Sequence, residues 1–205
     1  MNAPANPAAT HSKVDGIPPR ARILAAAGEL FYRHGIRAVG VESIAEAAGT
    51  NKMTLYRHFA SKDELVAEYL RQEAGEADAY WCALEGQHPG EPLAQIRAWV
   101  AAMAAHAADC NERGCALANA AVELPEKEHP ARAVIEEFKR RQRTELIRLC
   151  GRAGLAEPEM LADEFLLLIE GARVTAQSMG ADGLGPRLGR MSEALIAAHG
   201  GKATP

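Results

Sequence analysis

Residues 41–59 read VESIAEAAGTNKMTLYRHF, and their spacing decides the fold. Val41, Ile44, Ala45 and Ala48 recur at helical intervals and form the inner face of one short helix. Gly49 permits a tight turn, and Asn51 is a favoured N-cap for a second helix. Leu55 and Phe59, four apart, form the inner face of that second helix. Two short helices joined by a glycine-containing turn predict a helix-turn-helix. At about 100° per residue, Met53 and Arg57 fall opposite the Leu55/Phe59 seam, with Thr54 and Tyr56 on the flanks. Such a face suits the major groove of DNA, where the first side chains of a recognition helix meet base edges. Met53 and Thr54 suit contact with a thymine methyl, and Arg57 suits either a bidentate guanine pair or a phosphate. Tyr56, His58 and Lys62 are natural phosphate donors. Ser43, Thr50 and Lys52 complete the expected DNA-facing set.

Working outward, Pro18-Pro19 precede a helical block in which Ile23, Ala27, Leu30 and Phe31 follow a 3.6-residue period up to Gly35. Downstream, Ser61 and Glu64 form a capping box for a long helix reaching about residue 85. Further blocks are expected at roughly 92–109, 114–123, 130–150, 158–179 and 187–199, separated by Gly/Pro/Asn breaks. No run alternates with the period of a strand. The expected fold is all-α, with about nine helices. Residues 1–17, rich in Pro, Ala and Asn, read as a disordered arm. Residues 18–62 read as a three-helix head. Residues 63–205 read as a helical bundle.

At 205 residues, 48% hydrophobic and 24% charged, the chain is long enough to bury a core without disulfides or a structural metal. No stretch reaches the ~18 apolar residues of a membrane span. Residues 1–20 lack the apolar run of a secretory signal. A cytoplasmic protein with reduced thiols at Cys82, Cys110, Cys115 and Cys150 is therefore expected. The net charge of −4 is uneven: residues 1–66 carry +2 and the remainder −6, which permits an anionic partner at the head.

The run from FYRHG through VESIAEAAG to KMTLYRHFASKDEL resembles the DNA-binding head of the tetracycline-repressor (TetR) family of bacterial transcriptional regulators. The close resemblance covers residues ~20–70; GCALANAAVELP followed by HP is also similar to a stretch in some members. The resemblance implies a homodimer on a palindromic operator, a recognition helix at Lys52 to Phe59, and Lys62 on the DNA backbone. It implies a variable body that binds a small effector, no cofactor, and last two long helices that pair into a four-helix interface. The chain departs from the family where Val39-Gly40 replace a Thr-Ser/Thr pair before the second helix, removing a hydroxyl cap and phosphate ligand. Thr50 replaces a usually apolar residue, and Met53 stands where Gly or Ala is common.

In the body, a pocket needs mostly apolar walls with a few convergent polar groups. Trp81, Trp99, Met103, His106, Cys110, Asn119, Glu123, Phe138, Arg173 and Gln177 are the candidate liners. His106, Cys110 and Cys115 also admit a thiol- or metal-responsive reading, against the plainer one of small thiols and an incidental histidine. No metal is assigned. The run Lys139-Arg140-Arg141-Gln142-Arg143 reads as a solvated face. Phe165, Leu168, Ile169, Ala172, Leu188, Met191 and Leu195 are the candidate dimer face, with internal burial as the alternative. An enzyme reading finds no nucleophile elbow, no phosphate loop and no HExxH, so the chain is expected not to be an enzyme. The expected function is an effector-released transcriptional repressor, with a small helical enzyme as the remote alternative.

Overall fold

The computed structural model describes residues 16–109 and 113–201. Among the described residues the structure is helical, and the elements run α1 Pro19–His34, α2 Val41–Ala47, α3 Lys52–His58, α4 Lys62–Gln87, α5 Pro92–Ala108, α6 Ala116–Glu123, α7 Pro130–Arg152, α8 Pro158–Met179 and α9 Leu184–Ala198. Residues 1–15, most of the expected arm, and Cys110 lie outside the described residues. α9 begins at Leu184, three residues before the expected start. Pro186 falls inside its first turn, where a missing N–H leaves no hydrogen bond unmade.

The apolar interior forms two clusters. The first joins α1, α2 and α3 to the N-terminal half of α4, to α6, and to the start of α7 through Ala131, Ile135 and Phe138. The second gathers α5, α8 and α9 around Trp99 and Phe165, with Leu84 from the end of α4 and Leu146, Leu149 and Cys150 from α7. α4 and α7 pack along each other and pass through both clusters.

The expected dimer face needs correction. Phe165, Ile169, Ala172 and Leu188 are buried within this chain's own second cluster. Phe165 sits edge-on against Trp99, with ring centroids 6.5 Å apart. α8 is apolar on two sides, and its larger residues turn inward. Its outward side carries Leu167, Val174 and Met179, with Leu167 75% exposed. Leu168 and Leu195 are half-buried and packed against the second cluster, and Met191 is exposed. The basic run of α7 meets acids: Lys139 pairs with Glu170, Arg140 with Glu137, Arg141 with Asp78 and Arg143 with Asp163. Gln142, within that run, is buried.

Candidate functional site

The helix-turn-helix forms for local reasons. Gly49 takes φ +61°, a left-handed turn conformation that strains residues with a Cβ. Asn51 Oδ1 accepts the Thr54 N–H at 2.9 Å and caps α3. Gly40, standing where a hydroxyl residue was noted as missing, caps α2 without a side-chain hydrogen bond. Ser61 Oγ accepts the Glu64 N–H at 3.0 Å and starts α4. The return half of the capping box is replaced: the Glu64 carboxylate lies 3.9 Å from Arg71.

Leu55 is fully buried and Phe59 nearly so, and the opposite side of α3 faces out. Met53 is 85% exposed; Tyr56 and Arg57 are exposed, and Thr54 and His58 are half-buried. Ser43 on α2 is exposed and Thr50 in the turn is half-buried. Lys52 holds Glu42 at 2.6 Å. The hydrogen bond lowers the Glu42 carboxyl below its ordinary range and raises the Lys52 ammonium. A phosphate approaching Lys52 therefore competes with a carboxylate.

Lys62 differs from its expected free state. Its Nζ donates to the Ile36 carbonyl at 2.6 Å and lies 5.9 Å from the centre of the Phe31 ring. Burial pulls its pKa down from the ordinary lysine value. It ties the start of α4 to the chain leaving α1, a role that sequence spacing did not signal. Arg22 was also missed: a Cβ at Gly49 would stand 3.8 Å from its guanidinium, so α1 sets a cation beside the turn.

In the body, a cavity of about 460 Å³ lies on the seam between the two clusters. Trp81, Trp99, Met103, His106, Phe138 and Arg173 line it, as expected. The Trp81 and Trp99 rings stack at 5.5 Å. Three expected liners stand elsewhere. Glu123 accepts the Arg37 N–H at 3.2 Å, Asn119 donates to the Arg113 carbonyl at 2.7 Å, and Gln177 donates to the same carbonyl. Their polar groups serve the backbone of neighbouring segments, which helical spacing cannot reveal. The unexpected liners include Tyr32, Tyr69, Tyr80, Cys115 and Gln142. Burial raises the Tyr69 and Tyr80 hydroxyls above the ordinary tyrosine range, so both are neutral donors. Cys115 Sγ lies 3.9 Å from Lys139 Nζ.

The cavity wall is also the grip on the head. The Tyr32 hydroxyl donates to the Gly114 carbonyl at 3.0 Å and accepts the Arg113 N–H at 2.7 Å. The Arg113 guanidinium donates to the carbonyls of Tyr32 and Arg33 at the end of α1. Gly114 takes φ +80°, and a Cβ there would collide with the Gln177 amide. Glu126 adds a 2.7 Å ion pair to Arg37, and His129 faces Asp63 at 3.4 Å.

Comparisons with known proteins agree with this geometry. Residues 23–69 match the model of bacterial regulatory proteins of the tetR family. Over 52 residues the chain is 46% identical to the transcriptional repressor KstR2 of Mycobacterium tuberculosis, which is 25% of this chain and 26% of that protein. Over 53 residues it is 43% identical to the transcriptional activator FasR of Mycolicibacterium smegmatis, 26% of this chain and 24% of that one. These matches span about a quarter of each curated relative and fall on the head. The fold likeness is wider. A TetR-family transcriptional regulator from Streptomyces coelicolor superposes with a TM-score of 0.83 at 26% identity, over 88% of this chain and 95% of that one. A tetR-type regulator from Streptomyces avermitilis gives 0.75 at 29% identity, over 91% and 100%. The chain thus carries the head of the bacterial regulatory proteins of the tetR family over residues 23–69, and its whole fold is similar to that of TetR-family transcriptional regulators.

Proposed function

We propose that the protein is a homodimeric transcriptional repressor that leaves a palindromic operator when a small molecule fills the seam cavity. The observation that carries the DNA-binding reading is the two-sided α3: Leu55 and Phe59 are sealed inside while Met53, Tyr56 and Arg57 stand outside. Two such helices reach successive major grooves when their half-sites are centred ~34–36 Å apart. Pairing through the outward side of α8 and α9 supports this spacing, since Leu167, Met179 and Met191 form an exposed apolar face that a second copy would cover.

The switch follows from shared residues. Tyr32, Gly114 and Cys115 line the cavity, and Tyr32 and Gly114 also belong to the Arg113 clamp on α1. A ligand that shifts residues 113–115 therefore shifts the head. Linkage requires DNA to weaken effector binding by the same factor that effector weakens DNA binding. A thiol-responsive form of the same switch rests on Cys115, which stands in the cavity wall beside Lys139.

Selection from random duplexes tests the reading. A two-fold-symmetric sequence should be enriched. Met53 and Arg57 substitutions should change which sequence is enriched, whereas Tyr56→Phe should weaken all sequences alike. Lys62→Ala should also weaken all sequences, through the lost Ile36 tie as well as any phosphate contact. Failure to enrich any sequence would sink the regulator reading.

A further inference from the structure

Two buried polar atoms in the seam cavity lack partners. Gln142, 7% exposed, leaves its carbonyl Oε1 without a hydrogen bond, and Arg173, 8% exposed, leaves Nε without one. The other Arg173 nitrogens are engaged: Nη1 donates to Glu170 at 3.2 Å and Nη2 to Met103 Sδ at 3.0 Å. Buried polar groups are normally satisfied, so one acceptor and one donor without partners, on two residues that line the same cavity, call for a molecule that supplies their complements.

The surroundings narrow its chemistry. The stacked Trp81 and Trp99, with Phe138, offer flat apolar surfaces suited to an aromatic ring. Among the described lining residues, Glu29, Glu73 and Glu76 stand against the single guanidinium of Arg173, which already shares Glu170 with Lys139. An anionic ligand would enter a negative field.

The helix register sets the two groups at different depths. The pairs Lys139–Glu170 and Arg143–Asp163 make α7 and α8 antiparallel. Gln142 then stands level with about residue 165, and Arg173 lies roughly two turns farther along, ~11 Å.

Resting on the effector-site reading above, we propose that the cavity takes an uncharged aromatic molecule. Its hydroxyl or amide donor meets Gln142 Oε1, and a carbonyl acceptor meets Arg173 Nε. The ring system lies beside the tryptophan stack.

Calorimetric titration of the full chain with three probes of one frame tests this: 4-hydroxybenzophenone, benzophenone and 4-benzoylbenzoate. The hydroxy ketone should bind at least ~10-fold more tightly than the other two, the worth of one charge-free hydrogen bond at a buried acceptor. Gln142→Met should erase the advantage of the hydroxy ketone over benzophenone. Equal binding of the carboxylate, a preserved advantage in Gln142→Met, or no binding of either neutral ketone would overturn the proposal. Titrating the same samples with the selected operator separates the two readings. Operator binding without the ketone preference sinks the ligand class and leaves the regulator standing. The ketone preference without any change in operator affinity sinks the effector reading and leaves the cavity chemistry standing.

Discussion

The head and the body bury different things. Among the described residues of α1 to α3, the fully buried side chains are apolar, and each polar residue keeps some contact with solvent. The body buries Gln95, Gln142, Arg173, Ser192 and His199. These five are of two kinds. Gln95 donates to Glu85 and to the His88 carbonyl, and His199 bridges the Ala156 carbonyl and Glu164, so both fasten loops. Gln142, Arg173 and Ser192 each leave an atom without a partner. A head that holds one helix face toward a groove gains from an interior of apolar side chains, which fixes its geometry; Arg22 Nε is the buried atom without a partner there among those of α1 to α3. On the proposed function, a body that accepts a molecule keeps polar atoms in reserve, at a cost in stability.

The contrast can be broken at several points. Its largest expected effect is in the head, where Leu55→Ala should cost ~3 kcal/mol in urea unfolding by opening a cavity. Met53→Ala, two residues earlier, should stay within about 0.5 kcal/mol of the parent, as surface changes do. Equal losses at both positions would erase the two-sided α3. In the body, burial pushes the Cys150 thiol up to about 11 from the ordinary 9.0. At pH 8 iodoacetamide should therefore modify Cys150, fully buried and with its thiol held protonated, far more slowly than exposed Cys82. The same shift has a sign for stability. As pH rises from 9 toward 11 the unfolded thiol ionises and the folded one does not, so this group's contribution falls. Mass-resolved alkylation that finds the two thiols alike would mean that the second cluster is wet.

Smaller effects sharpen the comparison further. Gln142→Met removes an unsatisfied carbonyl, so thermal unfolding should show stability unchanged or raised by up to ~1 kcal/mol. A loss above that size would show that the amide is structural and not in reserve. At the bare N-terminus of α2, Gly40→Ser should add a few tenths of a kcal/mol, roughly the gain from Gly to Ser at an N-cap. Gly40 has φ −84°, ψ 155°, and a Cβ there would lie 3.6 Å from Glu42, so the new side chain fits without strain. A chemical denaturation midpoint that does not move would show the cap to be satisfied by other means.

How much the sequence reveals follows the same division. α3 is legible because its signals are local: a glycine turn, an Asn cap and an apolar pair one turn apart. The body yields its helices for the same reason and hides its faces. Phe165 and Ile169 look like interface residues until Trp99 arrives against them from another helix. Glu123 and Asn119 have the chemistry of ligand contacts, yet they bind backbone at Arg37 and Arg113. Lys62 reads as a free cation and is a tie to Ile36. Each miss depends on a partner distant in the chain, which periodicity does not encode.

α4 and α7 thread both clusters, so neither cluster can come apart without bending rods that the other holds. The cavity between them is thus lined by parts that open together. Unfolding removes such empty space, and hydrostatic pressure favours the state of smaller volume. Compression should therefore attack this molecule first at its seam, and an occupant of about the right size should make it harder to crush.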